Sequence, residues 1–290
     1  MERLDARHIL CPLDFSAISK RALLYASAIA RARHAELRVL HVVEKKAFDG
    51  AVGLSSVTRQ RFMLKLKEWL DEVTSADQLV GAAVRYGDPA TEVLKFARTL
   101  PADMIVAAAA GADPRKRPMG HVAAVVAARS ECPVVIVPAR RTTEFSRQTG
   151  LFKRIVCAVD LTPSSTGVVR QAVAFGRETA GVVTCVCVVP EHAATSAGKV
   201  RQRLLAGIAS LECGDCQVKG LVTTGDAGPE IVRVADKLQA DVVVIGPPRR
   251  WASTTHAVVS KANWPVMVAH DLRPIERSAK GMERTVFLRR

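Results

Sequence analysis

Residues His8–Ser19, HILCPLDFSAIS, lie over Arg154–Ser165, RIVCAVDLTPSS: Ile9, Cys11, Asp14 and Ser19 meet Ile155, Cys157, Asp160 and Ser165 at a constant offset of 146. Further along, Val39–Glu44 (VLHVVE) meets Cys185–Pro190 (CVCVVP) at the same offset. Tyr86–Val106 (YGDPATEVLKFARTLPADMIV) then meets Thr224–Val244 (TGDAGPEIVRVADKLQADVVV) at 138, so the second copy is shorter by eight residues. Finally, Glu131–Ala139 (ECPVVIVPA) resembles Asn263–Asp271 (NWPVMVAHD). Four matches in one order indicate a duplication. A chain of 290 residues that is 49% apolar has enough length and hydrophobic matter for two packed cores. The expected organisation is a first domain over 1–139, a linker over 140–152, a second domain over 153–270 and a basic tail over 271–290.

Within each copy, short runs rich in Val and Ile alternate with segments of helical period. Ile9–Leu13, Leu37–Val43, Leu79–Tyr86, Met104–Ala108 and Val134–Pro138 are of strand length and almost unbroken in their apolarity. In Ser56–Ala76, the residues Phe62, Leu66, Trp69, Leu70 and Val73 fall on one helical stripe. Asp88-Pro89 suits a helix start, because Asp accepts from free N–H groups and proline at the first position forfeits nothing. Alternation of these five apolar strands with helical segments predicts an α/β fold, two tandem five-stranded parallel sheets covered on both faces. Ligands of such sheets bind beyond the carboxyl ends of the strands, which directs attention to the loops after the first and fourth strands.

Asp14 and Asp160 end the first strands. Either accepts backbone N–H bonds from the turn that follows, marked by Ser16, Ser19, Thr162 or Ser164, or meets a ligand. The loop after the fourth strand, 109–121, holds Gly111, Arg115, Lys116, Arg117, Gly120 and His121, with Val122 beginning a small-residue helix. Glycines admit a phosphate close to the backbone, and a helix N-terminus presents unpaired N–H groups. A solvated basic loop is the alternative.

Bulk properties narrow the function classes. The net charge of +14 is spread over the chain and is densest in Arg140–Phe152 and Asp271–Arg290, the segments that look least structured. A diffuse positive surface suits a small anionic ligand or an acidic partner, and with aromatics at 4% there is no base-stacking platform, so specific nucleic-acid binding is not expected. No apolar run reaches the ~20 residues of a membrane span, and MERLDARHILCPLDF lacks the design of a signal peptide, so a cytoplasmic location is expected. Five of the seven cysteines sit inside apolar runs, the habit of buried thiols in a reducing compartment. Cys213-Gly-Asp-Cys216 is a C-x-x-C that reads as incidental cysteines in a turn, as a redox pair, or as half of a metal site lacking its other ligands. No Walker loop, nucleophile elbow or zincin motif is present, and Glu92 and Glu230 read as first-turn partners of a helix dipole.

The strand ending in Asp14 before a Ser-bearing helix, LHVVE, GDPATEVLKFA, ADMIV before a glycine loop, and GHVAAVVAARSECPVVIVP together resemble the universal stress protein family in tandem form, over about 7–139 and 153–270. The resemblance implies a five-stranded parallel α/β domain, commonly paired through its fifth strands, here within one chain. It also implies, in members that bind ATP, a G-x-x-G-x9-G-[ST] loop, with the first-strand Asp and an HVV residue meeting the adenosine. By that mapping Asp14 and Val42 stand at the adenosine side. Ala108 replaces the first glycine, Gly111 and Gly120 remain with a spacer of eight, and His121 replaces the hydroxyl. The second copy keeps Asp160, Gly246 and Ser253, but Pro247-Pro248-Arg249-Arg250-Trp251 displaces most of its loop. The expectation is a non-enzymatic stress-response protein with an altered pocket for ATP or another adenine nucleotide in the first domain and a degenerate one in the second. A scaffold for another anionic ligand or an unknown protein partner, a homodimer, a weak ATPase and a cysteine redox sensor stand as alternatives.

Overall fold

The computed structural model describes residues 7–44, 55–75, 78–111, 119–139, 152–247, 254–270 and the backbone of 286–288. The first copy runs β1 (His8–Leu13), α1 (Ala17–Ala32), β2 (Glu36–Glu44), α2 (Ser56–Val73), β3 (Val80–Gly87), α3 (Pro89–Thr99), β4 (Met104–Ala108), α4 (His121–Arg129) and β5 (Val134–Val137). The second runs β6 (Arg154–Ala158), α5 (Ser165–Thr179), β7 (Val182–Val189), a 3-10 turn, α6 (Ala197–Ala209), β8 (Gln217–Thr224), α7 (Ala227–Lys237), β9 (Val242–Ile245), α8 (Thr254–Lys261) and β10 (Val266–Val268). A last strand, β11 (Val286–Leu288), follows.

The order of strands is β11-β3-β2-β1-β4-β5-β10-β9-β6-β7-β8, one continuous sheet. Each copy contributes a parallel 3-2-1-4-5 arrangement. The two halves join where β10 lies antiparallel to β5, Met267 opposite Val135, so the copies do pair through their fifth strands. Period-two alternation sends Ile9, Cys11 and Leu13 to the face covered by α1, α2, α5 and α6, and Leu10 to the face covered by α3, α4, α7 and α8. Each apolar layer runs through both copies without a break.

Two segments read as unstructured contribute to this frame. Phe152, at the end of the expected linker, is 2% exposed and lies 6.1 Å from Phe175 between ring centroids. Residues 286–288 of the expected tail run antiparallel to β3, Phe287 opposite Gly81. The edge strand β3 is thus paired on both sides, while β8, at the other end of the sheet, has only β7 beside it among the described residues.

Local chemistry sets the helix starts. Asp88 accepts from Thr91 N at 2.9 Å ahead of Pro89, the cap expected from the sequence. Glu92 and Glu230 both occupy the first turn of their helices. The glycine before each cap is required: Gly87 and Gly225 have φ of +153° and +133°, and an added Cβ would stand 2.9 Å from Glu92 Cγ and 3.1 Å from Glu230 Cγ.

Candidate functional site at the carboxyl edge of β1 and β4

From β1 the chain moves to β2 on one side, and β4 lies on the other. The strand order therefore reverses between β1 and β4, which opens a crevice at their carboxyl ends. Its walls among the described residues are the turn 14–16 and the two ends of the loop after β4, 109–111 and 119–120.

Phe15 turns the chain with φ +61°, and Leu161 does the same in the second copy at +56°. A large residue in the left-handed region costs on the order of 1–2 kcal/mol. Because both copies bear that cost, it belongs to the architecture of the turn. The turn lets Asp14 Oδ1 accept from Ser16 N at 2.9 Å, and Ser16 Oγ in turn caps α1 by accepting from Ser19 N at 3.1 Å. Asp14 thus performs the structural task open to it, and its Oδ2 faces the opposite wall. A Cβ added at Gly111 would be 2.9 Å from that oxygen.

The loop after β4 is tied at its base. Ala109 N donates to Val137 O at 2.8 Å, and Gly120 N donates to Ala109 O at 2.7 Å. Gly120 is the N-cap of α4 with φ −74° and ψ 160°, and among the described residues no side chain caps the helix. Neither backbone strain nor crowding by the described residues demands glycine at 120, since among them a Cβ would meet Ala109 O and Ala110 Cα at an ordinary 3.6 Å. His121 is exposed at the first position of α4, within electrostatic reach of Asp88. The Asp88 carboxyl lies below its usual range, chiefly through hydrogen bonds from Thr91, with a smaller contribution from His121. Val122 and Val42 are half-buried against one apolar layer and Ala108 against the other. Residues 112–118, with Arg115, Lys116 and Arg117, lie outside the described residues, as does Ser253.

The second copy differs in the same two walls. Asp160 Oδ1 accepts from Thr162 N at 3.0 Å, from Thr162 Oγ1 at 2.6 Å and from Ser165 Oγ. At Gly246, Val168 Cγ2 of α5 lies 3.5 Å from where a Cβ would be, an ordinary contact.

An aromatic group beside the first turn was not apparent in the sequence as a unit. His41 Nδ1 donates to Leu13 O at 2.8 Å. Its ring lies 4.6 Å from that of Phe15 and 4.4 Å from that of Phe62, and Trp69 meets Phe15 edge-on at 5.3 Å. Lys65 Nζ stands 4.3 Å over the Phe15 ring. Burial is the main cause that pulls the His41 pKa down and favours the neutral imidazole, against the Leu13 hydrogen bond, which favours the charged form. Phe62 and Trp69 did carry a signal as members of the α2 stripe, but their partners come from two other segments.

The family model for universal stress proteins matches residues 6–138 and again 151–270. A relative, Universal stress protein MJ0531 of Methanocaldococcus jannaschii, is 30% identical over 138 residues, 45% of this chain and 81% of the relative. A universal stress protein structure from Archaeoglobus fulgidus is similar at TM-score 0.69 and 20% identity, covering 92% of this chain and 97% of its own. A putative universal stress protein from Pseudomonas aeruginosa gives 0.61 and 18%, covering 93% and 96%. At these identities the structural likeness concerns the fold.

Proposed function

The chain belongs to the universal stress protein family, and we propose that its first copy binds an adenine nucleotide, ATP included, in the crevice between β1 and β4. The role is that of a non-enzymatic, cytoplasmic stress-response protein. The observation that carries this reading is Gly120: neither its backbone angles nor its neighbours among the described residues require glycine, and among those residues no side chain caps the N-terminus of α4, where it stands. A ligand with phosphate groups supplies the missing reason, because it needs close backbone approach and unpaired N–H groups. Asp14 Oδ2 and Gly111 line the same crevice, so a polar adenosine edge and a phosphate end both have counterparts. The second copy is structural in this account, with Asp160 satisfied by the Thr162 and Ser165 hydroxyls and Pro247-Pro248-Arg249-Arg250-Trp251 in place of most of the loop. Departures from the ATP-binding pattern at Ala108 and His121 favour a second reading, a scaffold for another anionic ligand, for a protein partner or for a second copy of the chain.

Isothermal titration of ATP, ADP and AMP into the full chain, with Gly120→Asp as the comparison, tests the proposal. Saturable heat is expected from the wild type and none from the variant. Asp is a better N-cap than Gly by a few tenths of a kcal/mol and has room at 120, so the melting temperature of the variant should stay level or rise. No heat with any of the three nucleotides would overturn the nucleotide reading and leave the scaffold.

A further inference from the structure

Cys213 and Cys216 flank a tight turn whose role the nucleotide site does not use. Cys216 N donates to Cys213 O at 3.1 Å, and Gly214, the first central residue, has φ +56°. The two cysteines are therefore residues i and i+3 of a hydrogen-bonded β-turn, which holds their Cα atoms within ~7 Å, inside or close to the span a disulfide bridges. Of the seven cysteines, Cys213 alone is not buried. Its Sγ lies 3.5 Å from Leu211 O, while Cys216 Sγ is turned inward to Gly176, where an added Cβ would overlap it.

Arg177, near the end of α5, lies along this turn. Its Nη2 donates to Glu212 O, and its Nε sits 3.4 Å from where a Gly214 Cβ would be. That Nε is buried and has no hydrogen-bond partner among the described residues. An idle guanidinium donor beside two thiols is the setting in which a thiolate or a sulfenate gains a charge-assisted partner. Burial, and after it the neighbouring Cys213, push the Cys216 thiol up, while a backbone hydrogen bond at Val183 and then Arg177 draw it partly back; the more exposed of the two is Cys213. Among the described residues no set of three His, Cys, Asp or Glu side chains is placed to hold a metal ion, so a dithiol suits the geometry better than a metal site.

We propose that Cys213 and Cys216 form a peroxide-oxidisable dithiol, Cys213 meeting hydrogen peroxide and Cys216 resolving the product to an intramolecular disulfide. The Cys213 thiolate attacks one peroxide oxygen, the O–O bond breaks, and the departing hydroxide takes a proton to leave as water. Sulfur is oxidised by two electrons to the sulfenic acid as both peroxide oxygens are reduced, one kept on sulfur and one lost in the water. Cys216 sulfur then attacks Cys213 sulfur, the S–O bond breaks, and the hydroxyl leaves with the Cys216 proton as a second water. Overall two thiols and one peroxide give one disulfide and two waters.

The test treats the reduced, folded full chain with hydrogen peroxide at low stoichiometry, followed by peptide mass mapping and thiol counting before and after dithiothreitol. Expected are a Cys213–Cys216 crosslink lighter by two hydrogens, reversal by dithiothreitol, and oxidation of this pair several-fold ahead of the five other cysteines. Cys216→Ser should accumulate a dimedone-reactive sulfenic acid at Cys213. Cys213→Ser, at a half-buried position that leaves the Gly176 contact intact, should lose the fast phase. Arg177→Gln should slow it several-fold. The proposal is overturned if the pair stays reduced while other cysteines oxidise, if Cys213→Ser loses thiols at the wild-type rate, or if the crosslink appears only after unfolding.

Discussion

Gly111 stands against Asp14 across the β1–β4 crevice: a Cβ at 111 would lie 2.9 Å from Asp14 Oδ2, nearer than carbon and a carboxylate oxygen settle without movement. The Asp14 carboxylate is the end of a short side chain on the exposed edge and is able to swing aside, giving up the position it holds toward the crevice. Gly111→Ala is therefore expected to change stability by less than about 1 kcal/mol and to weaken adenine-nucleotide affinity at least about tenfold, ~1.4 kcal/mol. Titration of both proteins with ATP at one pH and salt concentration decides it. Equal affinities would mean that Asp14 does not meet the ligand.

The paired glycines before α3 and α7 make a prediction about stability alone. Their φ of +153° and +133° and the glutamate methylenes above them leave no comfortable place for a side chain. Gly87→Ala and Gly225→Ala should each cost about 1–3 kcal/mol, read from urea midpoints. A loss below half a kcal/mol, about the scale of an ordinary surface change, would show that these turns relax freely.

What the sequence disclosed and what it hid have physical reasons. The Asp88 cap, the α2 stripe and the alternating strands depend on residues a few positions apart, so their signal is local. The duplication is legible differently, as strings that recur at offsets of 146 and 138, and it brings the 3-2-1-4-5 order and the pairing of fifth strands once the family is recognised. The Phe15–His41–Phe62–Trp69 group assembles only when the β1 turn, β2 and α2 meet. Phe152 and β11 lie in polar, basic surroundings, and their burial or pairing is decided by partners more than 20 residues away. Gly111 and Gly120 were visible as glycines, but only the structure separates the one that would crowd Asp14 from the one whose Cβ has room.

Glu230 gives a pH dependence of definite sign. Arg233 Nη2 at 2.7 Å and Thr223 Oγ1 at 2.6 Å donate to its Oε2, and these bonds hold the carboxyl down at about 2, against an ordinary value near 4.5. A carboxyl lowered on folding contributes stability that is fully present above about 4.5 and is lost as the pH falls from there toward 2. Glu230→Gln should be less stable than the wild type at neutral pH, with the gap narrowing through that acid window. Urea unfolding of both proteins across the window measures it, and a gap that does not change with pH would contradict the assignment.

Arg33, which caps the C-terminus of α1, reaches from the first copy to Glu178 on α5 of the second. Its Nε and Nη2 donate to both carboxylate oxygens at 2.9–3.0 Å, and the guanidinium lies 4.0 Å over the Phe175 ring. The Arg33 side chain is only 5% exposed. Burial lowers the Arg33 pKa and raises that of Glu178, each against the pull of its partner, so desolvation consumes much of what the pair gains. Removing one partner is a different matter, because it strands a buried guanidinium. Glu178→Ala should cost about 2–3 kcal/mol, below the 3–5 of a fully buried pair because Glu178 is partly in contact with water. Arg33→Met combined with Glu178→Leu should return to within about 1 kcal/mol of the wild type, since an apolar replacement avoids the desolvation and keeps contact with Phe175. A double-mutant cycle by chemical denaturation measures both terms. A single mutant as stable as the wild type would show that Arg33 finds water or another acceptor, and that this ion pair does not hold the copies together.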